Sequence, residues 1–488
     1  MSVGAMNVVP FLVLLVTLVF YAWLGHRSRL TTPDLTQFFM YGRTLETAGF
    51  FSTVSSSSIS LGAAILAFLS LGYYLPWIAL VATATWIIGF WFHYTVMRRV
   101  LSITPSLKTG LFTLHGYLGH SYRSDTLMML ASTASIIGFV GAYGVEMVAV
   151  TKLISPYLSS PFHQLLIIVV LSVFLGSYVA NGGFRSVVVT ARWQLWIFIF
   201  AMLLCFGYVI SKAGSGAEFL DPIAYALTIN AASFPLPLLF GLLFINLPWQ
   251  LIDMSQWQRT LSCQTLHVVR RGLAYSALGI AFSWLLLIGL GLSMHTLPLE
   301  ENPVATFLTL FSGHPVYYSL LLVAAVAALF STADAYIIAA VQSYICDVRH
   351  PDLLSETASG ATPQNASTIM LEARRSIWII SIIAPIIAFG ANILIPEILE
   401  LFFMVFTAQL SLVPSVVFAN YLVSLRSTLA ALISVAVGLF TAICFFIFNL
   451  FYPVENLAFY APIVTLIVAF VAYISISLPR MGRINFEH

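Results

Sequence analysis

Thirteen stretches of this chain are apolar over lengths that suit a lipid bilayer, near residues 7–24, 47–73, 75–98, 125–156, 161–181, 187–212, 232–255, 268–295, 313–346, 374–394, 396–420, 428–451 and 458–478. Crossing the hydrocarbon layer takes about 20 mostly apolar residues, and inside it each backbone polar group must be satisfied within the protein. The expected fold class is therefore an all-α membrane protein with about 13 transmembrane helices. Composition enters as a limit. The 60% of hydrophobic residues among 488 suffice for at most about fourteen spans. Charged residues are 8% against roughly 25% in soluble domains, which excludes a soluble globular enzyme. A net charge of +2 supplies no field to recruit nucleic acid or an acidic partner.

Orientation follows from the basic residues, which are retained on the cytoplasmic side during insertion. With the N-terminus outside, one set of loops holds Arg27, Arg29, Arg43, Arg98, Arg99, Lys108, Arg123, Arg185, Arg192, Arg259, Arg270, Arg271, Arg349, Arg374, Arg375, Arg426, Arg480 and Arg483, and the other only Lys152 and Lys212. This bias predicts an N-terminus outside, a C-terminus inside and a multi-pass location in a bacterial cytoplasmic (inner) membrane. No basic residue precedes the first segment, so it is not a secretory signal. The longest polar stretch, 347–373, reads as a cytoplasmic linker, and its Pro, Ser, Thr and Gly content fits one. Cys205, Cys263, Cys346 and Cys444 form no CxxC pair, so no zinc site or disulfide framework is expected. No Walker loop or HExxH motif occurs. Catalytic residues are not expected.

Non-helical backbone survives at membrane depth only where it lines a cavity, so helices interrupted by hydroxyl residues or proline point to a transport site. Two segments qualify. Segment two carries Ser52, Thr53, Ser55, Ser56, Ser57, Ser58 and Ser60 before Gly62, and segment seven carries Pro235, Pro237 and Pro248 with Asn246 and Gln250. They lie five segments apart, the spacing of two inverted five-helix repeats over about 47–212 and 232–420. The segments 7–24, 428–451 and 458–478 are then peripheral, and the whole chain, 1–488, is a single transporter domain.

Four stretches resemble the sodium/solute symporter family, which includes proline, pantothenate, sialic acid and sugar cotransporters. FFMYGRTL (Phe38 to Leu45) is similar to the start of the family's first core helix, with Gly42, Arg43 and Leu45 matching. NGGFRSVVVTARWQ (Asn181 to Gln194) is similar to its Gly-Gly-x-x-x-Val-x-x-Thr-Asp-x-x-Gln signature. NLPWQLIDMSQWQR (Asn246 to Arg259) and AALFSTADAYIIAAVQSYICDV (Ala327 to Val348) are similar to two further family stretches. The resemblance spans about residues 30–430 and implies a leucine-transporter-like fold. It also implies a sodium ion, Na+, as coupling ion, held by the carbonyls of Ser56 and Ile59 and the hydroxyls of Ser331 and Thr332. Where the family signature often has Thr-Asp, this chain has Thr190-Ala191, so the carboxylate tied to a second sodium site in some members is missing. Asp334, one turn beyond Ser331, is a further candidate ligand.

Ionisable groups at membrane depth default to functional hypotheses because burying their charge there is costly. Glu146, in the middle of segment four, is read either as a substrate-ammonium or proton-coupling group or as a protonated structural carboxyl. Asp253 and Arg259 are an inner-gate pair or a solvated helix end, and Glu397 and Glu400 are solvated. Trp249 falls three residues after Asn246, where sugar members of the family carry a cavity-closing aromatic, and Gln409 is a weaker candidate for the wall. The expected substrate site is Ser57, Ser58, Ser60, Glu146, Asn246, Trp249 and Gln409. The expected function is sodium-coupled symport of a small organic solute by alternating access. Its alternatives are proton coupling on the same fold, or a transporter-like sensor acting through a partner. The solute and the oligomeric state are left open.

Overall fold

The computed structural model describes residues 9–103, 113–154, 160–212, 235–297, 303–353, 365–452, 454 and 456–484. The helices in chain order are α1 (Val9–Arg27), α2 (Leu35–Met40), α3 (Thr47–Ser57), α4 (Ala67–Tyr74), α5 (Pro76–Ile103), α6 (Leu114–Tyr122), α7 (Asp125–Ile154), α8 (Pro161–Gly182), α9 (Phe184–Lys212), α10 (Leu236–Ile252), α11 (Met254–Leu261), α12 (Leu266–Ser293), α13 (Pro303–Ser312), α14 (Pro315–Ser343), α15 (Ala366–Leu394), α16 (Ile398–Leu410), α17 (Val413–Asn420), α18 (Thr428–Phe451) and α19 (Leu457–Ile484). A π-helical turn, Leu61–Leu66, joins α3 to α4. Among the described residues eleven helices are long and apolar enough to cross a membrane, and two bent pairs, each taken as one span, bring the number to thirteen: α3 with α4 at 62° and α16 with α17 at 41°. This is a multi-pass membrane protein, with the expected number of spans. Among the described residues no β-strand occurs, only an isolated bridge between Leu45 and Cys263.

The packing exchanges partners as two inverted repeats would. The second helix of each repeat lies on the broken first helix of the other, α5 on α10 and α12 on α3 and α4. The third helix of each packs on the fifth of the other, α14 on α9 and α16 on α7, and the two fourth helices, α8 and α15, meet each other. Outside this core, α1 rests on α8 and α14, while α18 and α19 pair and cover α16.

Segment seven departs from expectation. Pro235 caps α10, Pro237 stands in its first turn, where proline is tolerated, and the helix runs on through Pro248. The interruption falls at Asp253, whose backbone is extended (φ −69°, ψ 100°). Segment eleven breaks between α16 and α17, with Pro414 in the first turn of the new helix. Asp347, placed in the polar linker by composition, is instead fully buried in a π-helical continuation of α14. There His115 holds it, Nδ1 to Asp347 Oδ2 at 2.8 Å and Nε2 to Ser135 Oγ at 2.8 Å. The linker region 354–364 and Lys108 lie outside the described residues.

Candidate functional site

The break in segment two begins with its hydroxyls. Ser52 donates to the Ala48 carbonyl, Thr53 to Gly49, Ser57 to Val54 and Ser58 to Val54, at 2.9 to 3.2 Å. Side-chain bonds of this kind compete with the helix ladder and bend it. The helix ends at Ser57, and Ser60 then adopts an extended conformation (φ −75°, ψ 154°) and starts the next one, its Oγ accepting from the Ala63 and Ala64 amides at 2.7 and 3.2 Å.

A helix end leaves carbonyls, and a helix start leaves N–H groups, that must be paired when buried. At this break side chains from three other helices answer them. On the carbonyl side, Ser331 Oγ donates to the Ser56 carbonyl at 2.9 Å, Thr332 Oγ1 to that of Ser57 at 3.1 Å, and Trp284 Nε1 to that of Ser58 at 3.0 Å. On the amide side, Leu61 N–H donates to Glu146 Oε1 and Gly62 N–H to Glu146 Oε2, the second at 3.3 Å. Glu146 is fully buried. Gly62 is required by the close approach of α16, because a β-carbon there would stand 2.5 Å from a ring atom of Phe402.

A cavity of about 80 Å³ adjoins the break, and Ser57, Ser58, Ser60, Asn246 and Trp249 are among the residues that line it. Asn246 donates from Nδ2 to the Ala82 carbonyl at 3.1 Å, and Trp249 packs its ring 4.4 Å from that of Phe406. Two expected wall residues are not in it. Glu146 stands behind the break, engaged with the two amides. Gln409 faces Gly138 of α7, where no space for a β-carbon remains, and neither its amide nitrogen nor its oxygen has a hydrogen-bond partner. What the sequence did not single out is the aromatic wall itself, which includes Phe68, Trp86, Trp284, Tyr336 and Phe402. In a chain with 14% aromatic residues no spacing rule separates these from lipid-facing rings.

The oxygen set at Ser56, Ser57, Ser331 and Thr332 suits a monovalent hard cation, since neutral carbonyls and hydroxyls replace its hydration shell. Ile59 lies in the turn, its N–H on the Ser56 carbonyl at 3.0 Å. Asp334 is on the same helix as Ser331, fully buried; Tyr178 OH donates to its Oδ2 at 2.7 Å, and its Oδ1 has no partner. Asp253 and Arg259 are also buried. Asp253 caps α11, accepting from the amide and hydroxyl of Ser255 at 2.8 and 2.6 Å, and Arg259 Nη1 donates to that hydroxyl at 2.8 Å. Of the outer pair, Glu397 is exposed and Glu400 half-buried.

Against solved structures, the chain superposes on a sodium-coupled sialic acid symporter with a TM-score of 0.72, over 95% of this chain and 96% of that one, at 16% identity. The chain shares the fold of that protein. A nucleobase-cation-symport-1 family transporter, Mhp1, aligns over 91% of this chain and 94% of its own with a TM-score of 0.50 and 13% identity. In sequence, the sodium/pantothenate symporter of Haemophilus influenzae is 26% identical over 211 residues, a stretch that covers 42% of this chain and 42% of that protein. No protein-family model matches.

Proposed function

We propose that the chain is a secondary active symporter that moves a small organic solute with Na+ across the cytoplasmic membrane by alternating access. One observation carries this reading: the carbonyls freed at Ser56 and Ser57 meet the Ser331 and Thr332 hydroxyls beside a cavity that Asn246 and Trp249 close. Ser56, Ile59, Ser331 and Thr332 hold the ion, and Ser57, Ser58, Ser60, Asn246 and Trp249 face the solute. The bundle of α3 with α4, α5, α10 with α11, and α12 rocks against the scaffold that contains α7 and α14. The bias of the basic residues supports an N-terminus outside and a C-terminus inside.

A thermal-shift screen of the purified protein against amino acids, sugars, carboxylates, ammonium solutes and nucleobases, with and without sodium, finds the solute. Uptake into proteoliposomes then follows a sodium gradient with a Hill coefficient near one, because Ala191 offers no second carboxylate. Uptake that is equal in sodium and potassium overturns the reading. The unpartnered oxygen of Asp334 favours a second one, proton coupling, in which a pH gradient drives uptake without sodium.

A further inference from the structure

The start of a half-helix at membrane depth is the natural seat for an anion, because its free N–H groups and positive dipole end point into the site. In this chain that seat is filled from within. Glu146 accepts the Leu61 amide on one oxygen and the Gly62 amide on the other. Both oxygens of the Glu146 carboxyl are thereby taken as acceptors, and no further anion can reach these two amides while it stands there. Among the described residues no basic side chain pairs with it.

The cavity beyond Ser60 is built of rings and small polar groups. None of its lining residues is charged. Its walls are two runs of touching rings, Phe68 and Trp86 on either side of Trp284 at 4.4 and 5.6 Å, and Trp249 and Tyr336 on either side of Phe406 at 4.4 and 6.1 Å. Ring faces attract cations, most strongly when water is excluded, and aromatic cages are the recurrent receptors of alkylated ammonium groups.

We propose that the solute of this cavity carries a compact alkylated positive charge, recognised by the aromatic walls, and that Glu146, by filling the seat at the Leu61 and Gly62 amides, bars solutes that would anchor there through a carboxylate. The inference rests on the symport reading and names its substrate class.

Three probes of one shape test it on the full-length purified protein in sodium: choline, its uncharged carbon isostere 3,3-dimethylbutanol, and the anionic 3,3-dimethylbutyrate, each titrated by calorimetry and followed as uptake. Choline binds at least about tenfold tighter than the alcohol, and the carboxylate does not bind. Glu146→Ala, checked for a monodisperse elution profile, vacates the Leu61 and Gly62 amides and admits the carboxylate, whereas Glu146→Gln, which still fills the seat, does not. Equal affinity for choline and the alcohol in the unaltered protein overturns the inference whatever the variants do. If a neutral or anionic solute from the wider screen is taken up with sodium instead, the charge assignment falls and symport stands. If no solute is taken up with sodium, both fall.

Discussion

At Ser58–Ser60 the broken helix is held by Glu146 of α7, Trp284 of α12 and Ser331 and Thr332 of α14, whereas its counterpart five segments later is closed from nearby. Asp253 caps α11 with its own carboxylate, and Trp257 Nε1 donates back across the break to the Leu251 carbonyl at 2.9 Å. The outside help there is His93 of α5, which bridges the Gln250 carbonyl and Thr260 Oγ1 at 2.7 and 2.8 Å and so fastens α10 to α11. In the proposed rocking motion α5, α10 and α11 travel together, so the bonds at Asp253 itself are kept, although further along α11 Gln258 Nε2 donates to Gln342 Oε1 of α14 at 2.6 Å. The first break shares its bonds with α7 and α14, across the boundary that moves. Coupling needs a bistable contact that ligands bias, and at the first break the bonds that cross the boundary are the ones that hold the break itself.

The widest contrast is expected when each break loses its carboxylate. Glu146→Ala leaves two buried N–H groups unpaired, and at about 1–3 kcal/mol per group the loss is about 2–6 kcal/mol. It is read as a lower melting temperature in detergent, with no rescue by sodium. Next comes the double variant Ser331→Ala, Thr332→Ala, which removes the hydroxyls that meet the Ser56 and Ser57 carbonyls. Sodium activation weakens about tenfold or more, equivalent to about 1.4 kcal/mol, while melting without sodium changes less than for Glu146→Ala. Unchanged sodium dependence in that variant removes the ion from this position.

These contrasts were only half legible in the sequence. Hydropathy locates the spans because bilayer thickness fixes their length, and the hydroxyl run from Ser52 to Ser60 announces its break because back-bonding is a local effect. Pro235, Pro237 and Pro248 misled about segment seven, since proline near a helix start costs little, while the real stop, Asp253, carries an ordinary N-cap signature with Ser255 and Gln256 behind it. Pro414 in the first turn of α17 is the same kind of signal for the break in segment eleven. Glu146 was visible as a buried charge, but its partners, Leu61 and Gly62, lie 85 and 84 residues away. No local pattern encodes that contact.

A smaller effect is expected at the second break. Asp253→Ala loses the cap of α11, which costs about 1–2 kcal/mol, and Asp253→Asn recovers most of it because the two residues cap almost equally well. Sodium dependence stays that of the unaltered protein in both variants, measured by uptake at graded sodium. If instead Asp253→Asn shifts sodium activation as far as the Ser331 and Thr332 double variant does, the second break also crosses the moving boundary, and the division drawn between the two is lost.

The smallest effect belongs to Gln409, which separates being near the cavity from lining it. Its amide is buried against Gly138 with both polar atoms unpartnered, and a buried polar group without a partner is a net cost of about 1–3 kcal/mol. Gln409→Met keeps the length of the side chain, removes both unpaired atoms and suits a tight site because its thioether adapts. The variant should melt at the same temperature or slightly higher, with solute affinity unchanged. Trp249→Ala, by contrast, opens the cavity wall beside Phe406 and weakens solute binding. A loss of affinity in Gln409→Met comparable to that of Trp249→Ala means that α16 turns Gln409 towards the solute during the transport cycle, and the aromatic wall then needs a polar member.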